Sequence, residues 1–143
     1  MIYMEKQGNF SPDYSVSAVY CFCGERMLIV KRAHDKKFEP DKWGVPAGKQ
    51  ENSEDKTACA MREMKEETGI SLDNDRLEFV KEVFVVWENT HFSFNIFRYS
   101  FDAMPEVRLN PENTEFKWVT YGELQEYDLV RDERECIIFV HDG

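Results

Sequence analysis

The pattern of apolar and polar positions divides the chain into short strand-like runs and longer stretches with helical spacing. Alternation of apolar and polar residues, or a short apolar run that ends at turn residues, predicts a β-strand. The strands predicted in this way are residues 14–22, 26–31, 77–87, 91–101 and 115–120. Gly24-Glu25 separates the first two strands and residues 88–90 separate the next two, so each pair is expected to form a hairpin.

The alternation is incomplete in the strand predicted at 91–101. Phe92, Phe94 and Ile96 share one face, yet Phe97 falls on the otherwise polar face and Arg98 on the apolar one. This pattern predicts either a bulge or a strand that is buried on both faces.

The segments expected to be helical are residues 53–68, a stretch that opens at Thr120 and runs toward Tyr127, and residues 131–140. Ser53 is the expected N-cap of the first helix, and Thr120 with Glu123 has the spacing of a capping box. Residues 1–13 are polar and are expected to form an arm or a first edge strand. This order of elements predicts a mixed sheet with helices on its faces, and so an α/β or α+β fold.

Composition and charge narrow the functional classes. The 143 residues, 42% hydrophobic and 14% aromatic, suit one folded domain over residues 1–143. The net charge of −10 argues against a nucleic-acid polymer or an anionic membrane as partner, because both repel an acidic surface. Four cysteines without a C-x-x-C pair, and no signal-peptide or membrane-spanning run, predict reduced thiols in the cytoplasm. A homodimer remains open on the sequence alone.

The candidate chemistry lies in three glutamates at the end of the first predicted helix. Glu63, Glu66 and Glu67 are spaced i, i+3 and i+4, which places them on one helical face. Carboxylates this close repel each other unless a cation lies between them, and oxygen-only ligands select Mg²⁺ or Mn²⁺. Arg62 can pair with Glu66 or Glu54 and so fix the carboxylate rotamers.

A longer motif contains these glutamates. From Gly48 to Ile70 the chain follows G-x5-E-x7-R-E-U-x-E-E-x-G-U, where U is a bulky aliphatic residue, and WGVPAGK precedes it at residues 43–49. In this motif, which covers 23 of 143 residues, the chain resembles the MutT-like Nudix hydrolases. The resemblance implies an α/β/α sandwich with a mixed sheet between helices. It also implies metal ligation at the Ala47 carbonyl beside Gly48, and by the helical glutamates 63, 66 and 67.

The resemblance implies further candidate residues. The catalytic base is either Glu63, which we favour, or a glutamate outside the motif, for which Glu112 and Glu115 are the candidates. Independently of the resemblance, Arg32 and Lys49 are the expected phosphate contacts in this otherwise acidic chain, with an ordinary surface charge as the equal alternative for either. Several aromatic residues could stack on a base, although core packing is the more frequent role for any one of them. They are Trp43, Phe38, Trp87, Phe92 and Phe94.

The resemblance implies a small nucleotide as substrate, a nucleoside diphosphate linked to another group. Some Nudix subfamilies carry a marker proline or tyrosine after the motif of residues 48–70, which is called the Nudix box. Residues 83–87 of this chain contain neither. By elimination the sequence favours a nucleoside triphosphate pyrophosphohydrolase that releases a monophosphate and pyrophosphate. A nucleotide-sugar hydrolase is the first alternative. A non-catalytic nucleotide-sensing module is the second, but all four glutamates of the motif are present, which argues against it.

Overall fold

A computed structural model describes residues 1–6, 8 and 10–141. The strands are β1 (Ile2–Tyr3), β2 (Tyr14–Cys23), β3 (Arg26–Arg32), β4 (Trp43–Gly44), β5 (Ala47–Lys49), β6 (Glu78–Trp87), β7 (Thr90–Phe101) and β8 (Asn113–Val119). The helices are α1 (Lys56–Thr68), a 3₁₀ turn (Glu123–Glu126) and α2 (Glu133–His141). No helix in the described ranges is long and apolar enough to cross a membrane.

The strands form one mixed sheet in the order β1-β6-β7-β2-β3-β4. β2 and β7 run parallel from the pair Tyr14–Phe92 to the pair Cys23–Phe101, and the other pairings are antiparallel. Both predicted hairpins are confirmed, but β2 and β3 pair only next to their turn. Farther along, β5 pairs with β2 and β8 pairs with β3, so the segment before α1 lies against the sheet.

Each face of the sheet has its own apolar core, which confirms the α/β/α sandwich. One core contains Ala60 and Met64 of α1 with Phe97 of β7, and the other contains Ile137 of α2 with Ile96 of β7. β7 is therefore buried on both faces, one of the two outcomes predicted for it. The register shift lies in its partner β6, between Phe79 and Lys81.

The first helix begins later than predicted, so the assignment of Ser53 as its N-cap is wrong. Asp55 caps α1 instead, because its side chain accepts a hydrogen bond from the Ala58 backbone N–H at 2.7 Å. Ser53 has φ 68°, and the Glu54 carboxylate binds the Glu51 N–H at 3.0 Å. These turn contacts hold residues 51–54 outside the helix.

The other predicted elements are present, whereas the short strands β4 and β5 are not among the five predicted strands. Thr120 and Glu123 form the capping box, with hydrogen bonds of 2.9 and 3.2 Å, although it opens a 3₁₀ turn and not an α-helix. The expected first edge strand exists at Ile2–Tyr3, where it pairs with β6. Within that predicted arm, residues 7 and 9 lie outside the described part of the chain.

Candidate active site

The buried end of α1 faces the β5 segment across a very close contact. Glu63 and Glu67 are 9% and 4% exposed, and they lie one helical turn apart on the same face. A Cβ atom added to Gly48 would overlap the Glu63 carboxylate. The glycine therefore lets the Glu63 carboxylate lie against the backbone of residue 48, a position that a side chain at residue 48 would displace.

A third carboxylate reaches this site from the loop before β8. Oxygen atoms of Glu63, Glu67 and Glu112 lie within 4.8 Å of one another. Burial first, and then the Glu63 and Glu112 carboxylates, raise the pKa of Glu67 well above its ordinary value, against a 3.1 Å hydrogen bond from Asn113. Crowded carboxylates of this kind are the donor set that a hard divalent cation fits. Glu66, which the sequence also assigns to the metal, is not a member of this group.

Arg62 connects α1 to β5 and to the turn that precedes the helix. Its Nε lies 2.7 Å from Glu54, its Nη1 lies 2.8 Å from Glu63 and 3.1 Å from Glu66, and its Nη2 donates to the Lys49 carbonyl at 3.0 Å. Hydrogen bonds from Arg62 lower the pKa of Glu54 to about 2. Both pairings considered for Arg62 are confirmed, and Glu66 contacts the arginine on the exposed side of the helix.

A cavity of about 480 Å³ extends from the carboxylates along the face of the sheet that carries α2. Gly48, Glu63, Glu67 and Glu112 line one part of it. Aromatic side chains of three strands line another part, namely Tyr14, Trp87, Phe92 and Phe94. Tyr14 and Phe92 are stacked at 5.3 Å, and Trp87 meets Phe92 edge to face at 5.1 Å. The cavity therefore combines an acidic region with an aromatic floor.

Segment 31–49 is a basic run with six lysine and arginine residues, and the structure places three of the six in the cavity wall. Arg32, Lys36 and Lys49 line the cavity. Lys31 pairs with Glu115 at 3.5 Å, and Lys42 pairs with Asp128 at 3.3 Å, and neither lysine lines the cavity. Only part of the basic run therefore faces a ligand that would bind beside the carboxylates.

The sequence-predicted aromatic and acidic candidates also separate. Phe38 lines the cavity, is 49% exposed and lies 6.2 Å from Trp87. Trp43 is buried edge to face against Tyr127 at 5.2 Å and does not line the cavity, so packing explains its position. Glu112 lies in the cavity wall, whereas Glu115 is exposed on β8 opposite Lys31.

Sequence reasoning missed Glu133, a buried carboxyl group in the cavity wall. It is 7% exposed, and the Tyr20 hydroxyl donates to it at 2.5 Å. Burial raises the pKa of Glu133 to about 7. No sequence signal distinguishes it, because it stands in the run Asp132-Glu133-Arg134-Glu135, which resembles a solvated helix start.

Fold and site together define a Nudix-type domain with an acidic centre. The NUDIX domain family matches residues 12–138, and the chain therefore belongs to that family. A comparison with curated proteins gave no match.

Solved structures similar to the chain share its fold. A MutT NUDIX hydrolase from Burkholderia pseudomallei is 23% identical, with TM-score 0.78 over 91% of this chain and 98% of that one. The NUDIX domain of Shewanella oneidensis NrtR, complexed with ADP ribose, is 14% identical, with TM-score 0.80 over 96% and 92%. A bifunctional NMN adenylyltransferase/ADP ribose pyrophosphatase from Francisella tularensis, complexed with AMP and a Mn ion, is 20% identical, with TM-score 0.77. This chain is covered over 94% there but spans only 43% of that longer protein.

Proposed function

We propose that this Nudix-family protein hydrolyses a phosphoanhydride bond in a nucleoside diphosphate linked to another group. The observation that carries the proposal is the gathering of Glu63, Glu67 and Glu112 in the wall of a cavity that also has an aromatic floor. The acidic region suits a metal-bound diphosphate, and aromatic rings suit a nucleobase through stacking.

The residues that would hold a divalent cation are Glu63, Glu67 and Glu112, together with the carbonyl of Ala47, which lines the same cavity. A bound Mg²⁺ or Mn²⁺ would neutralise the charge of the diphosphate and make an attacking water more acidic. The four glutamates of the box and the fit of Gly48 against Glu63 support a catalytic domain over a nucleotide-sensing one.

The chain's own residues divide the remaining work. Arg62 binds Glu63 and Glu54 at once and so keeps the Glu63 carboxylate oriented. Glu112 is the most exposed of the three carboxylates, with 47% of its side chain accessible, and we assign it the role of proton acceptor from water. This assignment departs from the preference for Glu63 that the sequence alone gave.

Within this class we propose a nucleoside triphosphate as the substrate, cleaved to a monophosphate and pyrophosphate. Support comes from the cations in the cavity wall, which are Arg32, Lys36, Lys49 and Arg131, because a triphosphate carries more charge than a nucleotide sugar. A substrate of the ADP-ribose type is the second candidate. Of the similar structures, one is an ADP ribose pyrophosphatase and another is a NUDIX domain complexed with ADP ribose. Four free cysteines support a reducing, cytoplasmic location.

A substrate panel with Mg²⁺ or Mn²⁺ tests the proposal. Nucleoside triphosphates, nucleotide sugars and ADP-ribose would be compared by release of phosphate and pyrophosphate and by the identity of the nucleotide product. We expect pyrophosphate and a monophosphate from a triphosphate, and a loss of turnover by orders of magnitude in Glu67→Gln. Turnover of Glu67→Gln at the wild-type rate with saturating Mg²⁺ would refute the site, and a panel without any hydrolysis would refute the activity.

A further inference from the structure

The loop from Ala33 to Lys36 contacts the carboxylate site at two points. The Ala33 N–H donates to the backbone carbonyl of Glu112 at 2.9 Å, and the Lys36 ammonium lies 3.2 Å from a Glu112 carboxylate oxygen. The loop is closed by a hydrogen bond from the Lys36 N–H to the Ala33 carbonyl at 3.2 Å. The backbone contact therefore fixes the loop beside Glu112, while the lysine side chain supplies the charge.

Lys36 differs from Arg32 and Lys49, the other two cations of segment 31–49 that line the cavity. Arg32 donates from Nε to the Phe38 carbonyl at 2.9 Å, and the Lys49 ammonium lies 4.2 Å from the centre of the Tyr14 ring. Of these three side chains, Lys36 is the one that pairs with the carboxylate group of Glu63, Glu67 and Glu112, through Glu112. It is a counter-ion already located in the ligand cavity.

The Lys36–Glu112 pair is suited to exchange. The two side chains are 29% and 47% exposed, and ion pairs with this access to water contribute little stability. A lysine ammonium sits on a flexible four-carbon stem and can move between acceptors. A divalent cation at the three carboxylates repels an ammonium beside it, and the phosphates of a substrate in the same cavity offer it a new anionic partner.

We propose that Lys36 is an exchangeable counter-ion, bound to Glu112 in the metal-free protein and to a substrate phosphate once the metal and substrate occupy the site. The inference rests on the proposed function for the identity of the phosphate ligand. Its consequence is that Lys36 opposes metal binding in the absence of substrate and favours substrate binding in the presence of metal. It also separates Glu112 from the lysine in the loaded site, where this carboxylate has its proposed roles toward the metal and the attacking water.

Binding of Mn²⁺, followed by the electron paramagnetic resonance signal of the free ion, tests the first half. We expect Lys36→Gln to bind Mn²⁺ about 1.5- to 5-fold more tightly than wild type, the range that an exposed ion pair represents. Lys37→Gln removes the same charge from the exposed neighbouring position and should change the affinity less. In a Glu112→Gln background the effect of Lys36→Gln should be smaller, because the ion pair is gone and only the direct repulsion between the ammonium and Mn²⁺ remains.

Calorimetric binding of α,β-methylene-ADP at saturating Mg²⁺ tests the second half. We expect Lys36→Gln to weaken this binding about tenfold, the size of one charge-assisted hydrogen bond, and Lys36→Arg to restore most of it. A lysine that only positions Glu112 would weaken metal and nucleotide binding together, and that result would overturn the proposal. An unchanged Mn²⁺ affinity, or an effect of undiminished size without Glu112, would also overturn it. Neither measurement needs turnover, so both remain informative if no substrate of the panel is hydrolysed.

Discussion

Arg62 and Glu54 make a two-point contact across the turn that precedes α1. Nε of Arg62 lies 2.7 Å from one carboxylate oxygen of Glu54, and Nη2 lies 3.1 Å from the other. The same guanidinium reaches Glu63 and the Lys49 carbonyl. A planar fork with several fixed donors can satisfy these acceptors together, whereas a single ammonium cannot.

Arg62→Lys should therefore lower kcat more than it raises KM. Losing one charge-assisted hydrogen bond that orients Glu63 costs about 1.5–3 kcal/mol, or about 10- to 100-fold in rate. Steady-state kinetics of the two proteins at saturating Mg²⁺ would measure this. Arg108→Lys is the matched control, because Arg108 makes an exposed pair with Glu106 at 3.0 Å. A change confined to KM would instead place Arg62 on the substrate.

Gly48→Ala should damage the site while leaving the fold intact. A methyl group at residue 48 overlaps the Glu63 carboxylate, so the carboxylate must move. A displacement of about 1 Å in a catalytic group can reduce turnover on the order of 100-fold. Gly122→Ala offers a control, since a Cβ there meets no atom within 4 Å. Circular dichroism should show both variants folded, and equal turnover in the two would contradict the role of this contact.

The motif residues on α1 could be predicted from the sequence because helical geometry fixes their relative positions. The sequence did not show which of Glu112 and Glu115 reaches the site, since both lie close to the start of the strand predicted at 115–120. The structure separates them because β8 begins at Asn113, which leaves Glu112 in the loop by the carboxylates and pairs Glu115 with Lys31. Long-range pairing of this kind has no local sequence signal.

The sequence also did not indicate which of the candidate side chains are buried. Trp43 and Phe38 were equivalent stacking candidates, yet only Phe38 lines the cavity. Glu133 had the sequence context of a surface residue and is instead enclosed beside Tyr20. In each case the deciding contact comes from an element distant along the chain, so local periodicity carries no information about it.

Glu133 should make the stability of the protein depend on pH. Burial raises its folded-state pKa to about 7 from the ordinary value of 4.5. The folded state therefore binds more protons than the unfolded state between these values, and this contribution to stability is present at low pH and lost as the pH rises through 7. From pH 5 to pH 8 the loss should be on the order of 2 to 3 kcal/mol in the free energy of unfolding.

Urea unfolding of wild type and Glu133→Gln across this pH range measures the difference. Glutamine keeps the shape and an acceptor for the Tyr20 hydroxyl but does not titrate. The stability of the variant relative to wild type should therefore rise from pH 5 to pH 8. Parallel pH profiles for the two proteins would show that Glu133 does not titrate in this range.

Arg32→Ala tests the choice between a triphosphate and a sugar-linked substrate. Arg32 lines the cavity beside Lys36 and Lys49, and the substrate with more phosphate charge should depend more on it. We expect kcat/KM for a nucleoside triphosphate to fall at least about tenfold, because a partly buried charge-assisted contact contributes roughly 1.5–3 kcal/mol. The effect on a nucleotide sugar should be smaller at the same ionic strength.

Lys31→Ala is the neighbouring control, since Lys31 pairs with Glu115 outside the cavity wall. Arg32 also holds the Phe38 carbonyl at 2.9 Å, and a role limited to that loop would reduce both activities equally. That result, or a wild-type preference for the nucleotide sugar, would remove the support for the triphosphate.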